Sequence, residues 1–129
     1  MTFGVIGRDN PFLAEMIALA CEAKGHACLV FKDLADATRI LHAFRVDVIV
    51  MEVQKPAVHD LEWMEALAHS RPDLPSRTLL LTSSELTPNE VARVQQLGAE
   101  VVSRPCSFVD IQHVVRERLQ KVRSVEAPG

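Results

Sequence analysis

The sequence contains few residues of several kinds, and each scarcity excludes a class of protein. Five glycines and seven prolines among 129 residues are too few for a collagen-like or low-complexity chain. Five phenylalanines, one tryptophan and no tyrosine argue against a platform on which nucleic-acid bases stack. The three cysteines, Cys21, Cys28 and Cys106, stand at unrelated spacings. They predict reduced thiols in a cytoplasmic protein rather than a disulfide framework.

Positively charged residues are fewer than negatively charged ones. Fourteen Lys and Arg residues against seventeen Asp and Glu give a net charge of −3. This balance argues against a domain that binds nucleic acid through its phosphates, so we expect no direct nucleic-acid binding. The apolar runs are short and interrupted by charges, and the first residues carry no cationic stretch followed by an apolar run. We therefore expect neither a membrane span nor a signal peptide, and a cytoplasmic location.

What the sequence does contain is a regular alternation of two patterns. With 48% hydrophobic residues, 129 residues suffice for one domain with a core of its own. Short apolar runs predict strands over 3–7, 27–31, 47–53, 78–81 and 101–103. Helical periodicity predicts helices over about 11–24, 34–44, 60–70, 88–97 and 107–122. Residues 1–123 would form the domain, and 124–129 a tail or the start of a linker.

The helices carry recognisable boundaries and apolar stripes. Thr87 and Glu90, with Pro88 between them, form a capping box, and Gly25 and Gly98 follow the ends of two helices. The predicted stripes of the first three helices comprise Leu13, Met16, Ile17, Ala20 and Cys21; Ala37, Ile40, Leu41 and Phe44; and Leu61, Met64, Leu67 and Ala68.

Strict alternation of strands and helices implies a parallel sheet with helices on both faces. Five strands and five helices in a chain of this size predict a doubly wound, flavodoxin-like α/β domain with strand order 2-1-3-4-5. The functional site of such a sheet lies at the carboxyl ends of the strands, where the strand order reverses. These ends carry Arg8 and Asp9, Glu52, Thr82 and Ser83, and Arg104 and Pro105.

In order and spacing these residues resemble the receiver domain of two-component response regulators, of the chemotaxis-regulator type. The segment 47–52 matches the family's pattern of two acidic residues around four apolar ones, and Pro56 matches the proline in the following loop. Thr82 ends the fourth strand as in the family, and Pro105 follows a cation as the family's cis-proline follows its lysine. The resemblance covers residues 3–120.

The resemblance implies a phospho-accepting aspartate after the third strand and an acidic pair that holds Mg²⁺ after the first. This sequence departs at both places. Glu52 stands at the phospho-acceptor position, and Arg8 replaces one member of the pair, so that Asp9 alone remains. Arg104 replaces the lysine, and Val101 stands where the family has an aromatic residue that rotates on activation.

These departures argue against the usual phosphorylation chemistry. Phosphoryl transfer needs a well-placed carboxylate and a divalent cation, and Mg²⁺ requires oxygen ligands that Arg8 cannot supply. The extra methylene of Glu52 would misplace the nucleophile. Our hypothesis is that Arg8 takes the electrostatic place of Mg²⁺ and that Arg104 pairs with Glu52 or Asp9, which locks the domain in one state. The alternative is a solvated charge cluster with no signalling role.

The sequence thus predicts an atypical, non-enzymatic receiver domain that acts through protein contacts without phosphorylation and without a metal or cofactor. A phosphorelay receiver with an altered site and, third, a flavodoxin-like ligand-binding domain are the alternatives. The partner would be another protein or a fused output domain. By resemblance, the fourth helix, fifth strand and fifth helix are a candidate homodimer face, which carries Arg93, Glu100, Val101, Asp110 and Arg116.

Overall fold

The apolar segments of the sequence pair into one parallel sheet in the computed structural model of the protein. The structure describes residues 2–6, 11–53, 57–82, 85–103, 113 and 117, without the side chains of 11–13, 20 and 103. The strands are β1 (Thr2–Ile6), β2 (Ala27–Phe31), β3 (Val48–Glu52), β4 (Thr78–Thr82) and β5 (Glu100–Ser103). Their order is β2-β1-β3-β4-β5, which confirms the predicted doubly wound topology.

Helices connect successive strands. They are α1 (Pro11–Ala23), α2 (Leu34–Ala43), α3 (Val58–Ser70) and α4 (Pro88–Leu97), and a short 3₁₀ helix (Pro75–Arg77) precedes β4. The predicted capping box of α4 is present, since Thr87 and Glu90 exchange hydrogen bonds between side chain and backbone. Gly98 ends this helix with φ of 78°, a left-handed conformation that favours glycine.

Each face of the sheet has its own hydrophobic core, because successive residues of a strand point to opposite faces. On one face α1 contributes Ala14, Ile17 and Cys21, which pack with alternate residues of β1, β3 and β4. On the other face α2, α3 and Val94 of α4 cover the intervening strand residues. Val48 to Met51 of β3 and all of β4 are buried, as expected for central parallel strands.

Two residues assigned to apolar stripes are exposed instead. Met16 is 44% exposed, because the buried residues of α1 are spaced at Ala14, Ile17 and Cys21 and Met16 lies one step around the helix from them. Phe44 is 61% exposed. Because α2 ends at Ala43 and Phe44 is extended, with φ of −126°, its side chain does not continue the helical stripe.

The carboxyl-terminal part of the chain was predicted as a helix followed by a tail. Only His113 and Glu117 of this part are described. Both are helical and are four residues apart, and His113 Nε2 lies 3.2 Å from Glu117 Oε1. The remainder of the predicted fifth helix and the tail lie outside the described residues. None of the helices described has the length and apolar character needed to cross a membrane.

Candidate functional site at the carboxyl edge of the sheet

The residues at the ends of β3 and β4 lie side by side at the carboxyl edge. Glu52, the last residue of β3, is opposite Leu81 in the β3–β4 pairing, and Thr82 follows Leu81 at the end of β4. Beyond Glu52, the Val53 backbone N–H donates to the Leu81 carbonyl at 2.8 Å. This bond continues the β3–β4 ladder past the end of β3, so the backbone that follows Glu52 is also held against β4.

The two side chains differ in environment. Glu52 is partly buried, whereas Thr82 is only 4% exposed. Thr82 lies opposite Ser103, the last residue of β5, so the chain leaves β5 directly beside Thr82. On the other side, Ile6 ends β1 opposite Met51, the residue before Glu52. The carboxyl ends of β1, β3, β4 and β5 therefore lie next to one another at one edge of the sheet, as the predicted topology requires.

The other residues predicted for this site lie outside the described residues. They are Arg8, Asp9, Ser83, Arg104 and Pro105. Among the residues that are described, no three His, Cys, Asp or Glu side chains are grouped so as to hold a metal ion. The described part of the site therefore comprises a carboxylate and a buried hydroxyl at adjacent strand ends.

Arg93, predicted for the interaction face, contacts a neighbouring helix of the same chain. Its guanidinium donates two hydrogen bonds to Glu65 of α3, one of them from Nε to Oε2 at 3.4 Å. The bond from Arg93 lowers the pKa of Glu65, and the same bond raises the pKa of Arg93. This residue therefore joins α3 to α4, although 29% of its side chain remains exposed.

The other members of the predicted face are divided between described and undescribed positions. Glu100 begins β5 opposite Leu79, and Val101 lies opposite Leu80 and packs partly buried against the core. Asp110 and Arg116 lie outside the described residues. The structure thus places Val101 at the core boundary.

Trp63 of α3 contacts both the core and a neighbouring helix. The ring is partly buried against the core, and its indole N–H donates to the Thr38 hydroxyl of α2 at 2.7 Å. Thr38 in turn donates to the Leu34 carbonyl at 2.8 Å. Trp63 therefore links α3 to α2 and covers the edge of the core.

Two of the cysteines are neighbours, a contact that was not predicted from the sequence. Cys21 of α1 and Cys28 of β2 are free thiols in hydrogen-bonding contact. Burial, followed by the Cys21 thiol, raises the pKa of Cys28 to about 12, and burial also raises the pKa of Cys21. The available signal was that Cys21 belongs to the buried stripe of the helix that packs on β2.

A second cluster that sequence reasoning missed lies at the opposite, amino edge of the sheet. Asp47 precedes β3 and accepts a hydrogen bond from the Thr2 backbone N–H at 2.8 Å. Its Oδ1 lies 3.8 Å from Arg45 Nε and 3.9 Å from Arg77 Nη1. Arg71 follows α3 and forms two hydrogen bonds of 3.2 Å with Asp73. The sequence feature that could have indicated this cluster is that Arg45 shortly precedes β3 and Arg77 directly precedes β4.

Comparison with known proteins gives a consistent group of relatives. No protein-family model matches the chain. It is 28% identical over 113 residues to the probable transcriptional regulatory protein TcrX of Mycobacterium tuberculosis (strain ATCC 25618 / H37Rv). The match covers 88% of this chain and 47% of TcrX, so the chain spans about half the length of that relative.

Two solved structures with the same fold illustrate the similarity, and both are receiver domains. The signal receiver domain of a signal transduction histidine kinase from Syntrophus aciditrophicus is 27% identical, with a TM-score of 0.73 over 94% of this chain and 92% of that one. The receiver domain of the Francisella response regulator 1452 is 19% identical, with a TM-score of 0.77 over 94% of this chain and 98% of that one. These similarities confirm the resemblance stated from the sequence.

Proposed function

We propose that this chain, whose fold is that of a response regulator receiver domain, works in two-component signalling without phosphorylation at the usual position. The observation that carries the proposal is the residue at the end of β3. Glu52 lies there beside Thr82, at the edge where the family's phospho-acceptor aspartate would be. The coarse role, a non-enzymatic signalling domain, agrees with the receiver fold of its relatives.

The chemical argument rests on reach and on charge. Glutamate carries the same carboxylate as aspartate on a side chain one methylene longer, and a displacement of about 1 Å can cost roughly a hundredfold in rate. A phosphoryl group also needs a divalent cation to neutralise its oxygens. In the sequence Arg8 occupies one of the two acidic positions that would hold that cation, leaving Asp9.

The same residues suggest how the site is stabilised without a metal. Arg8 would supply the positive charge. Arg104 would form bidentate hydrogen bonds from its guanidinium to the carboxylate of Glu52 or Asp9. Charges that share a partly buried cleft are stable only when they are paired. Glu52 would then act as a permanent anion beside Thr82, and the domain would hold one conformation rather than switch between two.

A domain that does not switch must act through its contacts with protein partners. The partner is a fused output domain or a separate protein in the cytoplasm, and a second copy of the chain is a candidate at α4, β5 and the predicted last helix. Val91 of α4 is 40% exposed there. Light scattering over a range of protein concentrations measures the mass of the particle, and a monomer at all concentrations would contradict the dimer.

The proposal is tested by offering the domain a phosphoryl group. Acetyl phosphate with Mg²⁺ should add no mass to the intact protein, and beryllofluoride with Mg²⁺ should leave the amide ¹⁵N–¹H spectrum unchanged at 52–53 and 82. Glu52→Asp alone should remain inert because Arg8 still excludes the metal. Glu52→Asp combined with Arg8→Asp should bind beryllofluoride.

A matched control separates this result from a general effect of shortening a carboxylate. Glu62 is an exposed residue of α3, and Glu62→Asp should leave the response to both reagents unchanged. Saturable shifts at the strand ends of the unaltered protein, or a phosphoryl adduct on Glu52 or Asp9, would overturn the proposal. The alternative, a phosphorelay receiver with an altered acceptor, would then replace it.

A further inference from the structure

The thiols of Cys21 and Cys28 are in contact where the end of α1 packs against β2. Cys21 lies in the last turn of α1, and Cys28 is the second residue of β2, which is an edge strand of the sheet. Both side chains belong to the hydrophobic core between α1 and the sheet. Two thiols that meet across packed elements have the arrangement from which a disulfide forms with small side-chain movements.

The backbone between the two cysteines is held by the turn that ends α1. The Cys21 carbonyl accepts hydrogen bonds from the Lys24 N–H at 3.1 Å and from the His26 N–H at 2.8 Å. The His26 ring packs on the Phe3 ring with their centroids 5.5 Å apart, and Phe3 is opposite Cys28 in the β1–β2 pairing. These contacts fix the start of β2 relative to the end of α1, and with it the approach of the two thiols.

The two sulfur atoms differ in their access to solvent. Cys21 is only 4% exposed, whereas Cys28 is partly buried. In the sheet, β2 pairs with β1 on one side alone, so Cys28 lies on the outermost strand. A small oxidant such as hydrogen peroxide therefore reaches Cys28 first. Cys21 is shielded from the oxidant but stays within reach of the Cys28 sulfur.

The apolar surroundings favour an uncharged oxidation product. Burial raises the pKa of Cys21, and it raises the pKa of Cys28 to about 12, because a thiolate is poorly solvated in this core. A sulfinate, the product of further oxidation, would carry the same cost, whereas a disulfide has no charge. Since neither sulfur is stabilised as a thiolate, the reduced pair lacks the stabilisation that makes some disulfides easy to reduce.

We propose that Cys21 and Cys28 are a redox pair that forms an intramolecular disulfide, which joins the last turn of α1 to β2. With hydrogen peroxide as the oxidant, the Cys28 thiolate attacks one peroxide oxygen and the O–O bond breaks, which gives a sulfenic acid and, after proton uptake, water. The Cys21 sulfur then attacks the Cys28 sulfur, the S–O bond breaks, and hydroxide leaves with the Cys21 proton as a second water. Two thiols and one peroxide thus give one disulfide and two waters.

The test uses the whole chain with Cys106→Ser, because this change removes the third thiol and leaves the pair alone. Hydrogen peroxide at about pH 9, where more thiolate is present, should lower the mass of the intact monomer by about 2 Da. Dithiothreitol should restore the original mass. Trypsin cleaves after Lys24, which lies between the two cysteines, so without reductant the two peptides should stay linked.

Two further variants in the Cys106→Ser chain test the order of the steps and the geometry. Cys21→Ser leaves Cys28 without a thiol to resolve it, so peroxide should add about 16 Da or more and cause no loss of about 2 Da. Cys21→Ser combined with Leu19→Cys is the matched control, with one thiol on each of the same two elements. Leu19 is 68% exposed and lies about 200° around α1 from position 21, so the disulfide should form at least about tenfold more slowly. Amide ¹⁵N–¹H spectra establish that each variant is folded.

Three results would overturn the proposal. The first is a folded pair that gains oxygen or does not react, while the same chain in urea forms the disulfide. The second is a disulfide between two chains instead of within one. The third is equal rates in the pair and in the matched control, which would show that the bond forms through an unfolded state. None of these results bears on Glu52, which lies at the opposite edge of the sheet, so the proposed function is tested separately.

Discussion

Gly4 shows at the residue scale how closely β1 is packed. A Cβ atom at Gly4 would lie 2.7 Å from Cε2 and 3.1 Å from Cζ of Phe31, and 3.2 Å from Cγ1 of Val46. Phe31 and Val46 are each only 1% exposed, so neither side chain has open space into which it can move. The glycine is therefore needed for close approach to β2 rather than for backbone freedom.

We expect Gly4→Ala to lower the free energy of unfolding by about 1–3 kcal/mol, the usual cost of overpacking a core. Urea denaturation followed by circular dichroism measures the change. Phe31→Leu provides the control, because the smaller side chain leaves room for the new methyl group. The same Gly4→Ala change should cost less in that background. An equal cost in both backgrounds would show that Phe31 is not the source of the clash.

The neighbouring thiols of Cys21 and Cys28 make stability depend on pH at the alkaline end. Because burial raises the pKa of Cys28 from 9.0 to about 12, the folded state keeps a proton that the unfolded state loses above pH 9. Stability must then fall as the pH rises through that interval, since the folded state binds more protons than the unfolded one.

We therefore expect the urea midpoint of the protein to decrease between pH 9 and pH 11. The decrease should be smaller in Cys28→Ala than in the unaltered protein, after each is referred to its own midpoint at pH 8. Reaction with iodoacetamide at pH 8 should also be slower in the native protein than in urea, because the thiolate is the reactive form. Identical pH profiles in the two proteins would contradict the assignment.

At the scale of the element, α4 shows how a local signal fixes a helix boundary. The Thr87 hydroxyl accepts a hydrogen bond from the Glu90 backbone N–H at 3.2 Å, and the Glu90 side chain accepts one from the Thr87 N–H at 2.8 Å. Both partners are local in sequence, so the box forms wherever the segment lies in the fold. That is why the start of α4 is predicted at the residue where it is found.

Thr87→Ala should lower the free energy of unfolding by about 1 kcal/mol, because it leaves a helix N–H without its acceptor. Asn89→Ala is a suitable comparison, since Asn89 is an exposed residue in the same first turn. It should change stability by less than about 0.5 kcal/mol. Thermal unfolding of the three proteins side by side would reveal a contradiction if Asn89→Ala had the larger effect.

The end of α2 and the start of α3 are two helix boundaries that local sequence signals did not place correctly. The prediction placed Phe44 on the apolar side of α2, but the helix ends one residue earlier and the ring is exposed. The prediction also started α3 at Asp60, whereas the helix begins at Val58. Neither boundary has a capping side chain or a glycine in the sequence, so propensity alone had to place them, and tertiary contacts decided otherwise.

At the scale of the whole molecule, the domain boundary predicted near residue 123 remains a prediction. A chain that ends after residue 123 should unfold within about 2 °C of the full chain, because a polar terminal segment adds little to a core. A chain that ends after residue 112 removes most of the predicted last helix and serves as the contrast, with a much lower midpoint. A large loss on removing 124–129 alone would place the boundary elsewhere.

The sequence by itself determined the order of the strands and which residues lie at the carboxyl edge of the sheet. The alternation of apolar runs and helical stripes determined a parallel sheet in the order 2-1-3-4-5, because chain connectivity and handedness leave few other arrangements. It also placed Glu52 and Thr82 together, since the carboxyl ends of adjacent parallel strands must meet.

The tertiary structure alone decided the contacts between distant segments. Cys21 meets Cys28, Trp63 reaches Thr38, and Arg45 and Arg77 meet at Asp47. Each of these contacts depends on how a helix is rotated against the sheet or on where a connecting segment turns. A rotation of one residue, about 100° around a helix, would separate the partners without changing the hydrophobic pattern in any strand. The sequence pattern therefore fixes the topology, whereas side-chain packing across the elements determines which polar groups become neighbours.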